Sequence, residues 1–570
     1  MATIPTFLRR KGQLVLAFLV LSIITQAKSL SPDVIIVGGG LSGLTCGSLL
    51  SQTPRSVLLL ESHDTVGGCA HTWTRKTKRG TFHFESGPSL YSGLSTETSY
   101  NPLKNVFDII GESPDIIKYD RWGTVFPNGV RLAAPIGPKG FDDVLMAEFG
   151  TPEGRRQWDL IMERMKEVGE ASQALTSMSL REDIGVLRTA FARYPGGMFK
   201  TLKYAKELNS PFSDIVEELN ITDPFVLNWL DMLCFLLQGL PSAGTMNAVI
   251  GYMLQDWYRD GVVLDFPKGG SGGIVDALAR GIEKGNGQIL VNKHVEKLIV
   301  KDNRAVGVRL KNGEEIFAKQ AVVCNLTPFA IRNLLPDDGS ASDEAKNYVA
   351  ELCNTNKEAG GVENLKSFIH LHAAIDAEGL PEEASADFPA QWAVIRDWDL
   401  PEGVEAERNI VLCTMTSLID DTLAPKGTHV LHAYVPATEP YEDWKGLDRT
   451  GDEYKKKKAD AADFLWKAIE EYVPNARERA IDGTVQIGTP LTHERFLRRA
   501  EGAYGPRAIA GDGGLPGHKA KGIDNLWFCG DYFFPGIGVP ACASGGAIVA
   551  NSLVTVKEHN GFLDKIKLPV

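Results

Sequence analysis

The stretch from Asp33 to Glu61 constrains this 570-residue chain more than any other. Asp33-Val-Ile-Ile-Val37 is a continuous apolar run, the pattern of a strand buried on both faces. Gly38-Gly-Gly40-Leu-Ser-Gly43 follows without a spacer. Leu44, Leu49 and Leu50 then mark a helix, and Ser56-Val-Leu-Leu-Leu-Glu61 is a second buried strand ending on an acid. Strand, glycine turn, helix, strand and terminal acid in that order predict the dinucleotide-binding unit of a parallel α/β sheet. Gly38 then permits the turn, Gly40 lets backbone approach a pyrophosphate, and Gly43 lets helix pack on strand. The phosphates sit at the positive helix N-terminus, and Glu61 accepts from ribose hydroxyls.

Composition removes other classes. A formal net charge of −12 argues against nucleic-acid binding. With 43% apolar and 23% charged residues, the chain is neither disordered, nor a coiled coil, nor a polytopic membrane protein. The 58 glycines cluster, which marks places where backbone approaches something closely. None of the eight cysteines forms a C-x-x-C, which excludes a zinc ribbon or thioredoxin-like site; most sit in apolar runs and read as buried thiols.

Residues 1–30 read as a targeting segment. Arg9, Arg10 and Lys11 precede an apolar run from Leu14 to Ile24, and Ala27 offers a small residue for cleavage. Asn220 and Asn325 head glycosylation sequons. Asn325 directly follows a strand-like run, so burial without a glycan is expected there. Entry through the secretory route followed by delivery to a complex plastid reconciles these features.

Val66-Gly67-Gly68 follows Glu61 closely, so a second glycine loop is expected against the cofactor. Near the other end, Leu526-Trp-Phe-Cys-Gly530-Asp531 is a strand ending in Gly-Asp. Gly538-Val539-Pro540 then opens a helix of small residues running to Ala550. This arrangement resembles the FAD-dependent oxidases and desaturases. The resemblance implies that Gly530 and Asp531 meet the ribityl-phosphate region and that the helix opening at Gly538 and Val539 faces the flavin pyrimidine edge. Its dipole would favour negative charge there. A middle segment holds Phe266-Pro-Lys-Gly-Gly270, strands at Gln288–Val291 and His294–Val300, a hairpin turning at Asn312-Gly313, and Ala321-Val-Val-Cys324. Val295 is the expected adenine contact.

The expected architecture is therefore α/β with an α+β second domain. A discontinuous Rossmann-like FAD-binding domain spans 31–105, 262–335 and 483–560. Segments 106–261 and 336–482 form an inserted substrate domain, with residues 140–260 mostly helical, residues 340–482 strands and connecting helices, and an antiparallel sheet roofed by helices as the expected arrangement. Phe225, Trp229, Leu233, Leu236 and Leu237 recur at helical intervals. Ser367-Phe-Ile-His-Leu-His-Ala373 and His429-Val-Leu-His-Ala-Tyr434 alternate as strands.

Several longer motifs then carry a resemblance. These are Phe266-Pro-Lys-Gly-Gly270, Ser367–His372 with Ile375-Asp-Ala-Glu-Gly-Leu380, and Leu423–Tyr434 with Pro436 and Glu439-Pro-Tyr441. Gly488-Thr-Pro-Leu-Thr-His-Glu-Arg-Phe-Leu-Arg-Arg499 and Phe534–Pro540 running to Leu553 complete the set. Over almost the whole chain after residue 32 it resembles the carotenoid isomerases among the phytoene-desaturase-like flavoproteins. Gly67-Gly-Cys-Ala-His-Thr-Trp73 and Glu85–Gly93 depart from prolycopene isomerase proper, and the former is similar to retinol saturase. The resemblance implies non-covalent FAD, a carotenoid or other long polyene substrate, and peripheral contact with a membrane. Isomerisation without net redox change is the first reading. Desaturation, saturation, amine oxidation and hydration of a carotenoid stay open. Phe199, Leu202 and Tyr204 among Lys200 and Lys203 form a candidate membrane patch.

The polar candidates are few. His71, just beyond Gly68, is a candidate proton donor or acceptor, and Tyr532 is a candidate at the flavin face. His370 and His372 read as core or cavity-lining histidines with no identifiable third ligand, so no metal is expected. Arg498 and Arg499 read as surface or phosphate-contact residues. No nucleophile motif appears, which leaves the flavin itself as the expected reactive group.

Overall fold

The computed structural model describes residues 31–86, 90–359 and 361–569; the targeting segment expected within residues 1–30 lies outside them. Five parallel strands form the first sheet, in the order Gly287–Leu290, Val57–Leu60, Val34–Val37, Ala321–Asn325, Leu526–Cys529. Val34–Val37 and Val57–Leu60 are buried at every residue, which is why both read as unbroken apolar runs rather than alternating ones. From Val34–Val37 the chain turns to one neighbour first and to Ala321–Asn325 much later. The strand order therefore reverses between these two strands, the topological switch point where such sheets bind ligands. Helix Leu41–Leu50 is buried along its full length. Helix Val539–Leu553 crosses it so closely that a Cβ at Gly546 would lie 2.3 Å from the Ser42 carbonyl oxygen. The run of small residues there serves helix packing. The expected hairpin is present, with Arg304–Leu310 pairing Glu315–Phe317 and Gly313 in the left-handed region at φ +86°.

A second sheet has seven strands, ordered Gln486–Gly488, Ser367–Asp376, Thr428–Glu439, Ile410–Thr414, Gln391–Ile395, Arg121–Val125, Arg131–Pro135. It is mixed rather than purely antiparallel, because Gln391–Ile395 pairs parallel with Arg121–Val125. That hairpin comes from a distant part of the chain, so no tight turn fixes its direction. Gln486–Gly488 belongs to this sheet through its pairing with Ser367–Asp376, although it falls in the segment 483–560 expected in the first domain. Helices cover the sheet. Pro152–Gln173, Pro224–Gln238 and Asn247–Trp257 pack around Phe141, Trp158, Ile161, Trp229 and Ile250. On the other face, Asp452–Glu470 buries Tyr454, Leu465 and Trp466 against Ile369, Trp392 and Leu431.

Candidate functional site

One cavity of about 1200 Å³ runs between the two sheets. Its first end is built by the glycine turn. Gly38 holds φ +101°, and a Cβ there would meet the Asn325 carbonyl oxygen at 2.6 Å. Gly40 caps the following helix, yet that N-terminus has no side-chain cap and no acidic residue in its first turn. Its first amides are thus left to an anion from outside the helix. A Cβ at Gly40 would lie 2.7 Å from Asn325 Nδ2. Gly43 departs from expectation in detail: its missing side chain makes room for the turn itself, since a Cβ would stand 2.3 Å from the Gly38 carbonyl oxygen. Gly43 does not line the cavity, whereas Gly38 and Gly40 do.

Glu61 ends the second strand 8% exposed. One carboxylate oxygen accepts from the Gly39 amide at 2.8 Å and the other from the His63 amide at 2.7 Å. Backbone donors thus fix the acid at the cavity edge, with lone pairs to spare for hydroxyl donors. Gly67 donates its amide to the Gly39 carbonyl at 2.7 Å, and a Cβ at Gly68 would touch the Gly40 Cα at 3.1 Å. The second glycine pair therefore lies against the first. Val295, buried on its strand, lines the same end.

Opposite stand Gly530 and Asp531. Gly530 adopts φ +123°, and Asp531 accepts from Arg499 Nη2 at 2.5 Å. Beyond them, Gly538 at φ +98° opens helix Val539–Leu553, a second N-terminus with no side-chain cap and no acid in its first turn. Gly538, Val539 and Cys542 line the cavity there. Every expected cofactor-binding residue except Gly43 thus lines one continuous space. The turn, the two uncapped helix ends and the fixed acid fit a dinucleotide with a flavin ring.

The candidate catalytic residues separate. His71 lines the cavity. Its Nδ1 donates to the Gly68 carbonyl at 2.8 Å, and its Nε2 accepts from the Ser86 hydroxyl at 3.1 Å. Burial lowers its pKa, so it stands as a neutral imidazole with both nitrogens engaged. Tyr532 is not at the cavity wall. It packs in the core against Phe329, its hydroxyl donates to Asn364 Oδ1 at 2.8 Å, and burial raises its pKa. Asp531 takes the cavity side of this segment, and the next side chain turns inward beside Phe533.

The far end is apolar and aromatic. Phe235, Leu237, Leu365, Phe368, Tyr434 and Tyr504 line it, with His370 in the wall.

Three features escaped the sequence reading. Asn325, expected to be buried without a glycan, is half-buried; it ends a central strand at the switch point and donates its side-chain amide to the Gly38 carbonyl at 3.3 Å, a contact the sequence did not reveal. Its place directly after a buried strand was the signal available. Arg499 is buried and paired with Asp531, not a surface residue. His432 stands opposite His372 across two paired strands. It supplies the third imidazole that local spacing did not reveal.

Comparison with known proteins agrees with this geometry. Residues 41–554 match the family of flavin containing amine oxidoreductases. Among curated proteins, the chain is 27% identical over 524 residues to the chloroplastic prolycopene isomerase of Daucus carota, covering 91% of this chain and 79% of that one. It is 24% identical to the all-trans-retinol 13,14-reductase of Danio rerio, covering 86% and 79%. Among solved structures, an oxidoreductase from Methanosarcina mazei shares the fold with a TM-score of 0.58 at 17% identity, over 90% of this chain and 98% of that one. On the strength of the match across its length, the chain belongs to the flavin-containing amine oxidoreductase family.

Proposed function

We propose that the protein is a FAD-dependent enzyme that isomerises a carotenoid polyene from cis to trans with reduced flavin and no net redox change. One observation carries this reading: the dinucleotide end of the cavity opens without a break into an apolar, aromatic-lined space. The similarity to prolycopene isomerases supports the same substrate class. When bound, the flavin supplies the electron-donating or acid–base chemistry that lowers the order of a polyene double bond.

The chain's own residues position and shield. Gly38, Gly40 and the helix they open receive the pyrophosphate, and Glu61 takes ribose hydroxyls. The helix beginning at Val539 favours negative charge at its end of the cavity. Phe235, Leu237, Leu365 and Phe368 exclude water from a cationic or radical polyene. Among the described residues, no cavity side chain is a ready nucleophile. Burial raises the pKa of the cavity thiols of Cys69 and, to about 12, of Cys542, which keeps both protonated. The aromatic run Tyr532-Phe533-Phe534 forms no cage for an amine at the cavity wall: Tyr532 and Phe533 are buried in the core and Phe534 is exposed.

The test is anaerobic incubation with a poly-cis carotenoid, with flavin reduced or oxidised. Many turnovers per reduced flavin at unchanged substrate mass are expected. The retinol reductase similarity favours a redox alternative. A product two hydrogens lighter or heavier, matched by flavin reduction or oxidation, would establish that alternative, and a product heavier by one water would establish hydration.

The reading includes a bilayer that delivers the substrate and a leader that takes the chain toward a plastid membrane. Ile184, Leu187, Phe191, Phe199 and Leu202 are exposed by 83%, 48%, 47%, 66% and 60% on or beside the adjoining helices Gly185–Arg193 and Pro195–Asn209. Arg188, Lys203 and Lys206 are exposed among them, an apolar face with a basic fringe suited to anionic lipid. No helix among the described residues is long and apolar enough to cross a membrane. Phe199→Asp with Leu202→Asp is expected to cut co-sedimentation with anionic vesicles by roughly tenfold or more. Unchanged vesicle binding would remove this face from the proposal.

A further inference from the structure

His370 and His372 alternate on strand Ser367–Asp376, and the antiparallel partner Thr428–Glu439 places His432 directly opposite His372. One ring nitrogen from each of the three lies within 4.8 Å of the others. His493, on helix Pro490–Leu497, adds a fourth imidazole with its centroid 4.9 Å from that of His370. We propose that His370, His372 and His432 form a binding site for a divalent transition-metal ion at the wall of the cavity.

The hydrogen bonds around the cluster favour this use. His372 Nε2 donates to the Glu85 carbonyl at 2.7 Å, which leaves Nδ1 with a free lone pair. A ligand imidazole is commonly fixed in this way by a backbone acceptor on its other nitrogen. Among the described residues, His370 Nε2, His432 Nδ1 and His493 Nε2 are buried with no hydrogen-bond partner. Orphaned polar atoms of this kind are rare and call for an ion, a water or a chemical role. Burial holds His370 and His432 well below the usual imidazole pKa and His372 at about 4. All three are thus neutral, the form that binds metal.

The donor set also selects the ion. Three imidazoles without thiolate or carboxylate suit Zn²⁺, Cu²⁺, Ni²⁺ or Fe²⁺ rather than Mg²⁺ or Ca²⁺. The three rings lie within 3° to 10° of parallel. Closing on an ion therefore turns at least one ring about its outer torsion, which is broad for histidine. That rotation breaks one side-chain bond, His370 Nδ1 to His432 Nε2 at 2.8 Å. His370 also lines the cavity, so a coordination position open to that space is expected, as in catalytic metal sites.

This inference is independent of the flavin chemistry and is tested without turnover. Full-length, FAD-loaded protein is stripped with chelator, titrated with Zn²⁺ alone and with Co²⁺ alone, and assayed for retained metal by mass spectrometry. About one ion per chain is expected after gel filtration. Affinity should fall by roughly 100-fold or more in His432→Gln and stay unchanged in the exposed control His83→Gln. Flavin content and near-ultraviolet circular dichroism report whether His432→Gln is folded. If it is not, X-ray absorption of the Zn²⁺-loaded wild type decides. Three or more imidazole nitrogens at about 2.0–2.1 Å would support the site. An oxygen-dominated shell would overturn it, as would less than about a tenth of an equivalent retained by the wild type, or equal retention by the folded variant.

Discussion

Gly40→Leu is expected to give a folded protein that no longer retains flavin. Gly40 has φ −73° and ψ 176°, an extended conformation open to any residue, so the substitution adds no backbone strain. Its effect is confined to space. The new Cβ would lie 2.7 Å from Asn325 Nδ2, which belongs to a side chain able to shift. The rest of the leucine then enters the cavity where backbone must approach the pyrophosphate. Overpacking of this kind costs about 1–3 kcal/mol, and lost phosphate contacts add to it, so FAD affinity should fall by roughly 100-fold or more. Gly43→Val provides the contrast. Its Cβ would stand 2.3 Å from the Gly38 carbonyl oxygen, which is backbone and has nowhere to go, so this variant should lose stability as well as flavin. Absorbance of the purified proteins and calorimetric titration with FAD measure both effects. A yellow Gly40→Leu protein with one flavin per chain would place the cofactor elsewhere.

What the sequence made legible was local. Gly38–Gly43, the Asn312-Gly313 turn and Gly530-Asp531 each announce themselves because the special backbone geometry and the residues that allow it are neighbours in the chain. Val34–Val37 and Val57–Leu60 read as buried strands for the same reason. What stayed hidden depends on register between distant segments. His432 meets His372 only because Thr428–Glu439 runs antiparallel to Ser367–Asp376 in one particular alignment, and no spacing within either strand specifies that alignment. The hairpin Arg121–Val125 with Arg131–Pro135, ahead of the segment read as helical, was not anticipated, because its place in the second sheet is decided by a parallel pairing with Gln391–Ile395. Tyr532 shows the same limit at the scale of one residue. Adjacency to Asp531 suggested a shared direction, but the chain turns between them, and a tyrosine is more stable with its ring in the core and its hydroxyl on Asn364.

The surface reading of Arg499 fails for a related reason: arginine is usually exposed, and only the fold supplies the partner that permits burial. Its guanidinium donates to Asp531 and to the Ala503 carbonyl and lies 5.7 Å from the ring centres of both Tyr504 and Tyr532. Burial alone would lower its pKa; the Asp531 charge beside it more than compensates and raises it above the ordinary arginine value. The two side chains are 11% and 16% exposed, so neither is screened as a surface pair would be. Arg499→Met keeps most of the packing volume and leaves Asp531 without its cation. Removing one partner of a buried ion pair costs about 3–5 kcal/mol, a large share of the roughly 5–15 kcal/mol that holds a typical domain folded. Urea unfolding should show a loss of that size. Adding Asp531→Asn to Arg499→Met removes the stranded charge, so the double variant should regain about half of the loss or more. Flavin occupancy need not follow, since Asp531 also stands at the cofactor cavity. Stability restored without flavin would assign Asp531 a role at the cofactor beyond its pairing with Arg499. Recovery of both would make the pair structural, and an Arg499→Met variant within about 1 kcal/mol of the wild type would show that the pair contributes little to folding.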